Sequence, residues 1–194
     1  MSVYTRELSG ILDQGDILSP MRIDRLASWW PNNNELPLVV MTPTCDVNQK
    51  QADHHRLCVL QPLPFMFYKL CKDAKLSKEE FEGGSPISKT KHQRIDTKLK
   101  SIIKNGQYRY HYFPKEEGVF ETDYFIDFEI VLTVPIGELS EENRYARINS
   151  PYKEELIHRY SHHVMRIGTE DLESGEIETI VSNCFQIANI QVPA

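Results

Sequence analysis

The 194-residue chain carries 22 basic and 28 acidic side chains, and its formal net charge of −6 excludes a protein that coats nucleic acid with its whole surface. Hydrophobic residues make up 40% and charged residues 26%, which excludes wholesale disorder. The longest purely apolar stretches, such as Leu38 to Met41, fall far short of the roughly 20 residues that a membrane span requires.

Met1 to Glu7 lack the basic-then-apolar order of a secretory leader, so a cytoplasmic protein without membrane contact is expected. The cysteines, Cys45, Cys58, Cys71 and Cys184, show no CxxC spacing. They are expected as free thiols, with Cys58 and Cys184 serving as small core residues. Gly15-Asp16-Ile17-Leu18 reads as a short first strand entered through a glycine turn. Ser19-Pro20 offers an N-cap and a first helical position, and Pro31 to Asn34 closes that excursion. Within it, adjacent Trp29 and Trp30 suit either an interface anchor or the core. Leu36 to Thr42 is apolar and β-branched, as in a strand buried on both faces. Arg56 to Gln61 predicts another strand, ended by Pro62 and Pro64.

Phe65 to Phe81 has helical character, and Gly83-Gly84-Ser85-Pro86 breaks it. A basic segment from Ser88 to Asn105 predicts a further helix, stopped by Asn105-Gly106. The apolar content of 65–105 is too thin for an independent core, so this stretch reads as a helical insertion. Strands return with Gln107 to Phe113 and, after a turn around Lys115 to Gly118, with Val119 to Pro135. Phe125 to Leu132 predicts one strand passing from edge to core. Arg144 to Ile148 adds a last short strand.

Ser150-Pro151 opens the clearest helix, with serine as N-cap. Tyr152, Leu156, Tyr160, Val164 and Ile167 share one arc, with Glu154, Glu155, His158 and His162 opposite and Gly168 as the stop. His163 falls within the apolar arc, as a hydrogen-bonded core histidine would. The apolar tail, 177–192, fits helix or strand, packed on the core or docked on a partner. The reading is thus an α+β single domain over 1–194. Its strands lie within 12–64 and 107–148, the insertion spans 65–105, and a C-terminal helix covers 150–167.

The first half resembles the PemK/MazF family of growth-inhibitor toxins. That family begins with a Gly-Asp-Ile strand, here Gly15-Asp16-Ile17, and continues with an Arg-Pro-x-Leu-Val-x-Ser strand, matched by Pro37, Val39 and Thr42. A later Pro-Ile/Leu-Thr motif is matched by Pro62 and Leu63, and Ile130 to Pro135, the Arg144 strand and the Ser150 helix follow in similar order. The resemblance covers about two-thirds of the chain and implies a small SH3-like barrel. It also implies RNA cleavage by the motif arginine and threonine. Here Leu36 replaces the arginine and Pro64 the threonine, and neither can donate a hydrogen bond to a phosphorane-like oxyanion.

Three constellations carry possible chemistry. Thr42 to Asn48 places Cys45 and Asp46 just past a buried strand. Three readings stand: a turn capped by Asp46 and Asn48 with Cys45 buried, a ligand contact, or a nucleophilic Cys45 with His54 or His55 as base. Cys45, His54, His55 and Cys58, or His158 and His162, offer zinc-ligating atoms in no established spacing, so no metal and no cofactor are expected. Finally, Lys89, Lys91, Arg94, Lys98, Lys100 and Lys104 run into Tyr108, Arg109, Tyr110, His111 and Tyr112. Cations beside flat rings suit single-stranded nucleic acid or a nucleotide, and equally an acidic protein or a plain solvated surface.

The expected function is a non-catalytic binding module of a bacterial complex of toxin-antitoxin or antiviral-defence type. It would contact a protein partner, RNA or single-stranded nucleic acid through that basic-aromatic surface. The alternatives are an endoribonuclease with a relocated active site, using Arg22 or Arg25 and a histidine, or a thiol or metal enzyme centred on Cys45 and Asp46.

Overall fold

The computed structural model describes residues 2–22, 35–49, 51–81 and 85–165. Arg25, Trp29, Trp30, Pro31 to Asn34, Gly83, Gly84, Ile167, Gly168, Cys184 and the tail 177–192 lie outside the described residues. By internal contacts the chain divides into two units, Met1–His163 and Val164–Ala194. The strands of the first unit are β1 (Tyr4–Thr5), β2 (Asp16–Arg22), β3 (Glu35–Val40), β4 (His54–Val59), β5 (Gln61–Pro62), β6 (Tyr110–Phe113), β7 (Tyr124–Asp127), β8 (Val131–Pro135) and β9 (Arg144–Ile148). The helices are α1 (Thr44–Asn48), α2 (Leu63–Asp73), α3 (Lys78–Phe81), α4 (Lys89–Ile103) and α5 (Tyr152–Val164). The strands form a six-stranded sheet, β1-β9-β2-β3-β4-β8, and a three-stranded sheet, β5-β7-β6. Every strand pairing among the described residues is antiparallel, and with its helices the chain is an α+β protein. Among the described residues no helix is long and apolar enough to cross a membrane.

The larger sheet is buried on both faces, as the run from Leu36 predicts. Side chains alternate along a strand, so Val39 joins Ile17, Cys58 and Ala146 in one cluster, while Leu38 and Val40 join Leu18, Leu57 and Val59 in another. Each fully buried Val, Leu or Ile among them contributes about 1.5–3 kcal/mol. The first cluster is completed by Phe113 and Ile126 of the small sheet and by Leu156 of α5. The reverse side of the small sheet presents Tyr110 and Phe125 to Met66 and Leu70 of α2 and to Ile95 and Ile102 of α4. The insertion therefore has a core, borrowed from β6 and β7.

Several expectations are corrected. Ser19-Pro20 does not start a helix: β2 continues to Arg22, with a register shift between Leu18 and Met21 that accommodates the proline. Pro64 does not merely end a strand but sits in the first turn of α2, where its missing N–H costs nothing. Phe125 to Leu132 is not one strand, because the chain leaves the small sheet after Asp127 and joins the large one at Val131. In α5, the Ser150 hydroxyl donates to Glu154 Oε1 at 2.7 Å, and Val164, on the expected apolar arc, is exposed. Strand β1 was not expected. It pairs with β9 and buries Tyr4. The basic helix is as expected, with Ser88 accepting from the Lys91 N–H and Asn105 ending it at φ +54°.

Candidate nucleic-acid interface

Six basic residues of α4 and its C-cap were expected to act together. Ile95 and Ile102 bury one face of the helix, and at about 100° per residue the cations fall into two stripes, one beside the buried face and one on the outward face. Lys91, Arg94 and Lys98 form one stripe, and Lys89, Lys100 and Lys104 the other. Lys91 pairs with Glu80 at 2.7 Å and Lys100 with Asp96 at 2.8 Å. Lys89, Arg94, Lys98 and Lys104 are exposed and carry no ion pair among the described residues. Arg94 and Lys98, one turn apart, keep their charge available to an anion.

The aromatic half of the pattern is placed differently. Tyr108 is 45% exposed, but one ring face stacks on His162, with centroids 3.7 Å apart and planes at 11°. The Arg159 guanidinium also lies over that ring, 5.5 Å from its centroid. Arg159 donates to the carbonyls of Asn105, Gln107 and Tyr110 and so fixes the loop that carries Tyr108. Tyr110 is buried, and the Tyr112 hydroxyl donates to Asp123 at 2.8 Å. His111 is buried as well. Desolvation, and then the nearby Arg159 charge, push it down to about 3.

Arg109 is locked. Its Nε and Nη2 donate to the two Asp127 oxygens at 2.8 and 2.6 Å, and Nη1 reaches Glu129 at 2.7 Å. The hydrogen bond to Asp127 holds the guanidinium still more firmly protonated. Asp127 also accepts from the Glu129 N–H, while its carbonyl accepts from Ile130. One side chain therefore ends β7, turns the chain towards β8 and anchors Arg109.

Beside this pair, a cleft of about 550 Å³ opens between α2 and the small sheet. Phe125 and Ile130 line it on the sheet side, and Phe65, Tyr68, Lys69 and Lys72 on the helix side. Gln61, 5% exposed, also lines it, and its Nε2 has no hydrogen-bond partner among the described residues. No sequence motif marks Gln61, Lys69, Lys72, Asp127 or Glu129; the one signal is a carboxylate, Asp127, within an apolar run.

The Cys45 segment forms the short helix α1, in place of the turn. Cys45 is exposed, not buried as expected, and its thiol donates to Asp46 Oδ1 at 3.3 Å, which raises its pKa above the ordinary value. A nucleophile needs the opposite shift. His54 is exposed, while His55 is 2% exposed, and burial lowers its pKa. Neither histidine is a hydrogen-bond partner of Cys45 among the described residues. Cys45, Cys58 and Cys71 are free, and no group of three metal-ligating side chains occurs among the described residues. The Arg22 side chain lies outside what the structure describes.

The Gly-Asp-Ile motif has a local explanation. Gly15 adopts φ +86°, and Asp16, fully buried, accepts from Arg147 at 2.6 and 3.1 Å and from Arg144 at 3.3 Å. Arg144 also donates to the carbonyls of Ser9, Gly10 and Ile11. Leu36 is 5% exposed within the second cluster of the large sheet. No protein-family model matches the chain, and no curated protein matches it in sequence.

Proposed function

We propose that the chain is a non-catalytic module that binds single-stranded nucleic acid, RNA in particular, within a larger complex of toxin or phage-defence type. The observation that carries this reading is the pair Arg94 and Lys98, exposed one helical turn apart on α4 without a carboxylate partner among the described residues. On an acidic protein, cations left unneutralised on one stripe attract a phosphate backbone locally. The SH3-like barrel and the link to PemK/MazF growth inhibitors belong to the same proposal. The antiparallel order β9-β2-β3-β4-β8 is compatible with such a barrel.

The non-catalytic part rests on what occupies the positions of the family's cleaving groups. Leu36 is packed in the core, and Pro64 opens α2. Neither side chain supplies a donor for a developing oxyanion. The test is a mobility shift of the full chain with a short labelled single-stranded RNA. Arg94→Glu/Lys98→Glu is expected to weaken binding by about tenfold or more. Unchanged affinity would overturn the reading. Binding only to an acidic protein would assign the stripe to a protein partner instead.

A further inference from the structure

We propose that the cleft between α2 and the small sheet is a subsite for one nucleotide, with the base against Phe65 and the exposed Tyr68 and the phosphate on Lys69 and Lys72. The proposal rests on the nucleic-acid reading above and names a second, separate contact. The cleft volume, about 550 Å³, lies within the roughly 300–1,000 Å³ typical of small-molecule sites. Its two sides differ in charge. On α2, Lys69 and Lys72 stand three residues apart, exposed and without an ion pair among the described residues. On the sheet, Arg109 is matched by two carboxylates, Asp127 and Glu129, so that wall is net negative.

A ligand matched to this arrangement is anionic at one end and carries hydrogen-bond donors at the other, with a flat apolar body between. Inorganic phosphate lacks the body, and a fatty acid lacks the donors that Glu129 would accept. A nucleotide has all three: phosphate, π-face, and ribose hydroxyls or exocyclic amine. Gln61 adds a recognition group. Its buried Nε2 has no partner among the described residues, and an unpaired buried amide is costly unless something completes it. A half-turn about its last torsion exchanges N–H and C=O, so the amide can serve either a donor or an acceptor on a base edge.

A free nucleotide and a nucleotide within a strand present the same chemistry, and the test separates them. The full chain is titrated calorimetrically with the four ribonucleoside 5′-monophosphates, with inorganic phosphate, and with a short single-stranded RNA. Mononucleotide binding, weakened about tenfold by Lys69→Ala/Lys72→Ala and not reproduced by phosphate alone, is the expected result. Gln61→Leu should narrow the spread of affinities among the four bases. Competition between the RNA and the mononucleotide identifies the strand as the source, and its absence identifies the free nucleotide. If the RNA binds and depends on Arg94 and Lys98 but no titration depends on Lys69 and Lys72, the cleft proposal falls and the module reading stands. If mononucleotides bind and the strand does not, the cleft stands and the module reading falls. If neither binds, both fall. The replaced lysines are exposed, so matching unfolding midpoints should show that the double variant keeps its fold.

Discussion

Arg109 holds Asp127 by two parallel hydrogen bonds, at 2.8 and 2.6 Å, at the point where the chain passes from the small sheet to the large one. Asp127 is 3% exposed and Arg109 about a third exposed, so the pair is shielded on the acid's side and wet on the base's. Asp127→Asn keeps the shape, removes the charge and spoils the bidentate geometry. Charge-assisted hydrogen bonds are worth about 1.5–3 kcal/mol, and exposure of Arg109 favours the lower end. Urea unfolding of Asp127→Asn is expected to show a loss of about 2 kcal/mol. A midpoint equal to that of the parent would mean that the turn is held by backbone alone.

The Cys45 thiol donates to Asp46, which favours its protonated form. Alkylation of Cys45 by iodoacetamide should therefore reach half its maximal rate above the pH of an ordinary cysteine. Asp46→Asn should shift that profile to lower pH. A parent profile already at half-maximum near neutral pH would revive the nucleophile reading.

His111 is held neutral in the fold, at about 3 against an ordinary 6.5, by burial and by Arg159. Unfolding restores its proton affinity, so between these values the unfolded chain binds more protons and stability rises with pH. The contribution is complete above about 6.5 and is lost as pH falls towards 3. His55, also lowered by burial, acts in the same direction. Each such group adds at most about 1.4 kcal/mol per pH unit to the slope. Unfolding free energies measured at several pH values should show a shallower acid slope in His111→Phe. An identical slope would show that His111 is not the titrating group.

Some of this was legible in the sequence because local pattern decided it. The two-sided run at Leu36 to Thr42, the Ser88-capped helix, the Asn105 stop and the Arg144 strand follow from burial period, capping and a positive φ. Other features depend on contacts distant in the chain. Phe125 to Leu132 reads as one strand by hydrophobicity, and only Arg109, 18 residues before Asp127, reveals the break. Strand β1 is two residues long and exists because β9 offers an edge. Arg109, Tyr110 and Tyr112 looked like surface groups because their partners Asp127, Phe125 and Asp123 lie across the β6–β7 pair. The cleft could not be read at all, since Gln61, Lys69, Lys72 and Glu129 meet only after α2 docks on the small sheet.

The decisive measurement is the salt dependence of RNA binding by the full chain, with and without Arg94 and Lys98. On a single strand, each neutralised phosphate contributes about 0.7 to the slope of log affinity against log salt. Affinity should fall steeply with salt, and Arg94→Ala/Lys98→Ala should reduce the magnitude of the slope by about 1.4. An affinity indifferent to salt, or a slope that the double variant leaves unchanged, would contradict phosphate recognition by α4.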